Sequence, residues 1–171
     1  MTVDPQKQAA FVESLRKAAE DAAARNPVVG EVRAASKPLV DEIRKRKQSA
    51  NSSFVLASYL SSEGAVCFLE TDDSSEERGE SGLFAKLAAL AKEGKIRAAA
   101  VGTVIEGPSP SHPTTMAEFI QVHSEHVSGL AARSLAPVDP TLLQGGVSGV
   151  AGPAVALMST KAEPRIFPRP A

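Results

Sequence analysis

The sequence contains no tryptophan and a single tyrosine, and aromatic residues make up only 4% of its 171 residues. A surface that stacks nucleic-acid bases needs exposed aromatic rings, so this class of binding protein is disfavoured. The single cysteine, Cys67, has no partner for an internal disulfide bond, and its apolar neighbours Val66 and Phe68 predict a small buried side chain. This cysteine usage fits a reducing cytoplasm.

The sequence also lacks an excess of one charge and a long apolar run. The 19 lysine and arginine residues nearly balance the 20 aspartate and glutamate residues, so no overall field attracts nucleic acid or an anionic membrane. No run reaches the about 18 apolar residues that a membrane helix needs. Asp4, Lys7 and Glu13 make the start unlike a secretory signal. We therefore expect a cytoplasmic protein without a membrane or nucleic-acid partner.

The length and the 43% apolar content suit one ordinary core. We expect one domain over residues 1–138, followed by a glycine- and proline-rich arm over residues 139–171. Scattered glycines interrupt the apolar pattern in this arm, which predicts an irregular path. Ile166 and Phe167 are costly to leave in water, so the arm should dock on something.

Apolar residues at helical spacing predict three helices, at residues 5–26, 28–47 and 81–91. Pro38 should kink or divide the second helix near Ser36, because proline removes a backbone donor and clashes with the preceding turn. Gly94 follows the third helix at the position where a left-handed residue often ends a helix.

Two apolar runs at residues 54–60 and 65–69 flank four turn-like residues that end in Gly64, which predicts a β-hairpin. Three more strands are predicted at residues 96–105, 117–126 and 130–135, and a turn at Val127-Ser128-Gly129 joins the last two as a second hairpin. The turn-rich loop at residues 106–113 should end the strand before it. The expected fold is α+β, an antiparallel sheet of about five strands with helices packed on it, in the order α-α-β-β-α-β-β-β.

The segment His123-Ser124-Glu125-His126 is the candidate for metal binding. In a strand His123 and Glu125 point to one face and His126 to the other, so the three side chains cannot share one ion. Ser111-His112 lacks a nucleophile elbow, and the glycines near residue 146 lack the lysine of a phosphate loop. We therefore expect no metal, no cofactor and no catalytic set.

The second helix ends in four consecutive basic residues, Arg44, Lys45, Arg46 and Lys47. Positive charge at this end offsets the helix dipole, which is the simpler interpretation. The alternative is a patch for an acidic partner, including an intramolecular one. Acidic residues follow the predicted hairpin at Glu70, Asp72, Asp73, Glu76, Glu77 and Glu80.

The order of predicted elements over residues 5–138 resembles the profilin-like folds, particularly the roadblock type, which implies an antiparallel sheet with helices on its faces and frequent dimerisation. Lys95-Ile96-Arg97-Ala98, followed by residues 119–126 and Gly129, is similar to a group of small bacterial α/β proteins. That group is uncharacterised, and the likeness implies no activity.

The leading hypothesis is a non-enzymatic interaction or scaffold module that self-associates as a homodimer or binds another protein. Its candidate partner-binding residues are Arg44, Lys45, Arg46, Lys47, Ile166 and Phe167. The alternative is a small-molecule binding protein or small enzyme with a pocket near residues 106–114. Its candidate ligand-binding residues are His112, Glu125, His126 and Arg133. A third alternative is nucleic-acid binding by the four basic residues.

Overall fold

The computed structural model describes residues 13–14, 17–18, 20–21, 24–49, 55–71, 79–109, 114–139 and 158–167. Helix α1 spans Pro27–Ser49 and helix α2 spans Glu80–Lys92. The strands are β1 Val55–Ser61, β2 Val66–Glu70, β3 Ile96–Pro108, β4 Met116–His126, β5 Ala131–Pro137 and β6 Met158–Lys161. They form one antiparallel sheet in the order β2-β1-β3-β4-β5-β6. The predicted α+β class is confirmed.

Glycines with positive φ end or join the elements where the sequence predicts it. Gly64 (φ 90°) joins β1 to β2, and Gly129 (φ 91°) joins β4 to β5, so both predicted hairpins are confirmed. Gly94 (φ 69°) follows α2, and its N–H donates to the carbonyl oxygen of Ala91. Residues with a Cβ adopt this left-handed region only at a steric cost, which explains glycine at each junction.

Helix α1 begins at a capped proline and continues without a break. The N–H of Val28 donates to Oδ1 of Asn26 at 3.1 Å, and Pro27 occupies the first helical position, where a missing N–H costs nothing. Of the two alternatives predicted at Pro38, a kink or a division near Ser36, the division is wrong, because one helix passes through Pro38. Near this proline the buried hydroxyl of Ser58 donates to the carbonyl oxygen of Ala35 at 2.6 Å, which ties α1 to β1.

Before Asn26, the described positions are helical, in agreement with the predicted first helix: Glu13, Ser14, Lys17, Ala18, Glu20, Asp21, Ala24 and Arg25. All of these side chains are exposed, including Ala18, which with Phe11, Leu15 and Ala22 forms the apolar stripe that predicts the first helix. The other positions of that stripe lie outside the described residues.

Helix α1 packs across the middle of one face of the sheet. Its buried Ala35, Leu39 and Ile43 contact buried side chains of β1, β3 and β4: Leu56, Leu60, Ala98, Ala100, Ile120 and Val122. Gly102 of β3 lets the helix approach, since a Cβ there would lie 2.6 Å from Cδ1 of Ile43. Burying each large aliphatic side chain stabilises the fold by roughly 1.5–3 kcal/mol.

Helix α2 and the end of the arm cover the opposite face. Leu83, Phe84 and Leu87 of α2 form one buried cluster with sheet residues and with two arm residues, Ile166 and Phe167. Neighbouring positions in β1 and β3 alternate between the two clusters, as the two-residue period of a strand requires. The end of the arm therefore docks, and the surface on which it docks belongs to its own chain, which the sequence left open.

Two predicted boundaries need correction. Strand β3 continues past residue 105 to Pro108, which pairs with Met116, because a proline is tolerated at the end of a strand. The arm is not wholly irregular, since β6 lies within it and pairs with β5. The sheet thus has six strands where about five are expected. Within the described segments, neither helix has the length and apolar character needed to cross a membrane.

Candidate functional site

The carboxylate of Glu125 lies buried beneath the end of the arm. Its side chain is 1% exposed and points from β4 toward the α2 face. The backbone N–H groups of Arg165, Ile166 and Phe167 donate to its oxygens at 2.5, 2.9 and 3.0 Å. Nε2 of His123 lies 2.6 Å from Oε1 of the same carboxylate. We call this arrangement the Glu125 clasp.

The clasp determines the charge state of Glu125. Burial by itself would raise the pKa of the carboxyl group, because it disfavours the charged form. Hydrogen bonds from His123 and from the three amides outweigh burial and hold the pKa of Glu125 below its usual range. Three successive N–H groups that converge on one anion form a concave anion-binding backbone, here filled by a side chain of the same chain.

His123 and Arg165 complete the contacts between the arm and the sheet. Nε2 of His123 faces Glu125, while among the described residues none hydrogen-bonds its buried Nδ1. This ring and the ring of Phe84 of α2 make a T-shaped contact, with an interplanar angle of 80° and ring centroids 5.1 Å apart. The guanidinium of Arg165 lies 3.7 Å from the centroid of the Phe84 ring and 3.2 Å from Oε1 of Glu80. The arm is therefore held by both backbone and side-chain contacts.

His126 belongs to a separate polar group on the α1 face. Its Nε2 lies 2.8 Å from Oε2 of Glu31, and its Nδ1 lies 2.8 Å from Oγ of Ser128. Arg97 pairs with the other oxygen of Glu31 at 3.1 Å. The strand alternation thus separates His126 from Glu125, as the sequence predicts.

The four predicted ligand-binding residues do not form one pocket. Glu125 and His126 lie on opposite faces of the sheet, and His112 lies outside the described residues. Arg133 of β5 stands directly opposite His123 and lines a cleft of about 470 Å³ beside the arm. Of the predicted set, Arg133 lines this cleft, and Glu125 and His126 do not.

Most of the predicted basic patch is used inside the fold. Arg44 donates to the carbonyl oxygen of Pro137 at 3.1 and 2.9 Å. Arg46 pairs with Glu42 at 2.8 Å and with Glu70 at 2.5 Å, and the hydrogen bond that Arg46 donates to Glu70 raises the pKa of Arg46. Lys47 pairs with Glu118 at 2.7 Å. The hypothesis of an intramolecular acidic partner is confirmed for Glu70.

The remaining two partner-binding candidates and Lys45 differ in accessibility. Ile166 and Phe167 are buried in the chain's own core, so they do not form a surface in this conformation. Lys45 is exposed on α1. Residues Asp72, Asp73, Glu76 and Glu77 of the acidic run lie outside the described residues.

Strand β2, at one edge of the sheet, carries two exposed large apolar side chains. Val66 is 39% exposed and Phe68 43% exposed, and β2, as described, pairs with β1 alone. Cys67, between them, is half-buried rather than buried, because an edge strand has a neighbour on one side only. We call the free side of β2, with Val66 and Phe68, the bare β2 edge.

Sequence reasoning missed the partner of Glu125 and the position of β6. The donors to Glu125 are backbone groups some 40 positions away, and an amide carries no residue-specific signature. Bulky apolar residues at Ile166 and Phe167 signal a docked arm but not the place where it docks.

Comparison with known proteins finds no relative. No family model matches the chain, and neither a curated protein nor a solved structure matches it. The resemblance to profilin-like folds and to small bacterial α/β proteins stays a prediction.

Proposed function

We propose that this protein is a non-enzymatic interaction module that self-associates through the bare β2 edge. The observation that carries the proposal is the exposure of Val66 and Phe68 on an end strand. An exposed, apolar edge strand is a template for pairing with another strand, because its outward N–H and C=O groups need partners.

The composition of β2 distinguishes it from a protected edge. In natural proteins, edge strands commonly carry lysine, proline or an inward-pointing charged side chain, which prevents them from pairing with a strand of another chain. The sequence of β2 is Val-Cys-Phe-Leu-Glu, and the charge of its final residue, Glu70, is paired with Arg46. Most of the strand is therefore uncharged and apolar, which favours association over repulsion.

A second copy of the chain is the partner that fits this edge. Antiparallel pairing about a two-fold axis at Phe68, the middle residue of β2, places the two Phe68 rings opposite each other on one face. Both copies of Val66 join the same cluster, since residues two apart share a face. Aromatic cross-strand pairs contribute roughly 0.2–1 kcal/mol each.

The polar groups also favour a non-enzymatic role. The carboxylate of Glu125 accepts bonds from three backbone amides and faces His123. Both ring nitrogens of His126 have partners, Glu31 and Ser128. These groups hold the fold together and have little capacity left for a substrate.

Sedimentation velocity over a range of protein concentrations tests the proposal. We expect the wild type to form a dimer at micromolar concentration and Phe68→Lys to weaken it by at least about tenfold, because two like charges would oppose each other. Met116→Lys is the matched control, since Met116 is 60% exposed at the start of β4, away from β2. A wild type that stays monomeric, or equal effects of both substitutions, would contradict the proposal.

A further inference from the structure

We propose that the cleft between β5, β6 and the arm binds a small anionic ligand that carries a phosphate or carboxylate group. The cleft has a volume of about 470 Å³ and is lined by one residue of β5, two of β6 and the arm residues 162–165. This volume lies in the range of small-molecule sites. The site is distinct from the bare β2 edge, which lies at the other end of the sheet.

Strand register brings the walls of this cleft together. Arg133 of β5 is paired with Thr160 of β6, so the two side chains share one face of the sheet. Arg133 is also opposite His123, whose ring contacts Phe84 of α2. The shared face is therefore the α2 face, where the arm also docks.

The charge of the cleft favours an anion. The side chains of Arg133 and Arg165 line it, against a single carboxylate, Glu163, whereas Lys161 follows Thr160 in β6 and its side chain leaves the strand on the opposite face. Within the described residues, Arg133 has no ion-pair partner. The chain as a whole has balanced charge, so this excess of cations is a local property of the cleft. Thr160 adds a hydroxyl that can donate to an oxyanion.

The wall formed by the arm is pre-organised. The Glu125 clasp holds the backbone of Arg165, while Phe84 and Glu80 hold its guanidinium. A cation that is already ordered loses less side-chain entropy when a ligand arrives. The planar guanidinium of Arg133 has the fork of donors that matches two oxygens of a phosphate or carboxylate.

Amide NMR spectra of the full, uniformly ¹⁵N-labelled chain test this proposal. Inorganic phosphate and succinate are titrated separately, with sodium chloride adjusted to keep ionic strength constant. We expect saturable shifts at Arg133, at residues 160–163 and at Arg165 with one or both anions; Pro164 has no amide N–H and gives no signal. If the shifts saturate with phosphate alone, the ligand carries a phosphate group. If they saturate with succinate alone, it carries a carboxylate. If they saturate with both, the site recognises the oxyanion that the two groups share.

Two variants separate a site from general charge attraction. Arg133→Gln should weaken the binding at least tenfold, whereas Lys45→Gln, which removes an exposed charge from α1, should leave it unchanged. Glu125→Gln should also weaken it, because the arm wall loses its anchor. Shifts that stay linear with both anions, or equal losses in Arg133→Gln and Lys45→Gln, would overturn the proposal.

Discussion

The two edge strands of the sheet, β6 and β2, differ in the residues and chain segments next to them. At one edge, β6 carries Lys161 and leads into an arm whose backbone is held by the Glu125 clasp. At the other, β2 exposes Val66 and Phe68. The chain thus uses its own tail to complete one end of the sheet and leaves an apolar strand at the other. We infer that the first end serves folding and the second serves association.

The Glu125 clasp provides hydrogen-bond acceptors for backbone N–H groups of the docked arm. Residues 165–167 bend out of the ladder after β6, so their N–H groups find no strand partner there. Buried backbone donors without partners are costly, and one carboxylate satisfies all three. Ile166 and Phe167 can then fill the core beneath α2.

Removal of the clasp should have the largest effect on folding. Glu125→Ala leaves three amides and His123 without their partner, so we expect the free energy of unfolding to fall by about 3–5 kcal/mol. Urea denaturation measures this loss. Glu106→Ala is the control, because this exposed glutamate of β3 should change stability by no more than about 0.5 kcal/mol. A loss of less than about 1 kcal/mol in Glu125→Ala would contradict the role of the clasp.

Acid should weaken the same end of the sheet. The pKa of Glu125 is lowered in the folded protein, so the charged clasp contributes stability above the unfolded value of about 4.3, and this contribution is lost as pH falls through the folded pKa. The stability difference between wild type and Glu125→Gln should be constant above about pH 5 and should shrink below about pH 4. Urea denaturation at pH 6, 4 and 3 measures it. A difference that grows on acidification would mean that the carboxyl group is protonated in the fold.

A smaller effect is expected where α1 meets the β2 end. Arg46→Ala removes contacts with Glu42 and Glu70, which are partly exposed, and should cost about 0.5–1 kcal/mol, less at high salt. Lys37→Ala is the control, since its pair with Asp41 lies within α1 and both side chains are more than half exposed. Thermal unfolding at two salt concentrations compares the variants. If both variants lose the same amount of stability and this loss does not depend on salt, then the ion pair between Arg46 and Glu70 does not stabilise the contact between α1 and β2.

The smallest effect on folding should come from the bare β2 edge itself. At a concentration where the protein is monomeric, Phe68→Lys should change the free energy of unfolding by no more than about 0.5 kcal/mol, because the ring is already partly in water. Urea denaturation of dilute protein checks this. A loss above about 2 kcal/mol would place Phe68 in the folding core rather than on an association surface.

Local signals in the sequence predict most of the described fold. The two hairpins are predictable from the glycine turns at Gly64 and Gly129, and the end of α2 is predictable from Gly94. Each of these glycines determines the backbone only within a few residues of itself, so a sequence pattern is enough to recognise it. The passage of α1 through Pro38 was not predictable in this way. It depends on packing of Leu39 and Ile43 against the sheet, which outweighs the local cost of proline.

The clasp and the sixth strand depend on contacts that sequence patterns do not record. Strand β6 has four residues and finds its partner, β5, across a long connection. The strand period correctly separates His126 from Glu125, but Glu125 is buried because the arm returns to it. Arg133, one of the predicted ligand-binding residues, lines a cleft beside the arm, and this cleft is not the pocket predicted near residues 106–114.

Hydrogen–deuterium exchange at two protein concentrations tests the contrast between the edges most directly. We predict that the amides of β2 that point away from β1 exchange rapidly in dilute protein and become protected at high concentration, while the hydrogen-bonded amides of β6 and residues 165–167 stay equally protected in both. Exchange at β2 that is the same at both protein concentrations would contradict association through the bare β2 edge. Protection at residues 165–167 that changes with protein concentration would contradict docking of the arm within its own chain.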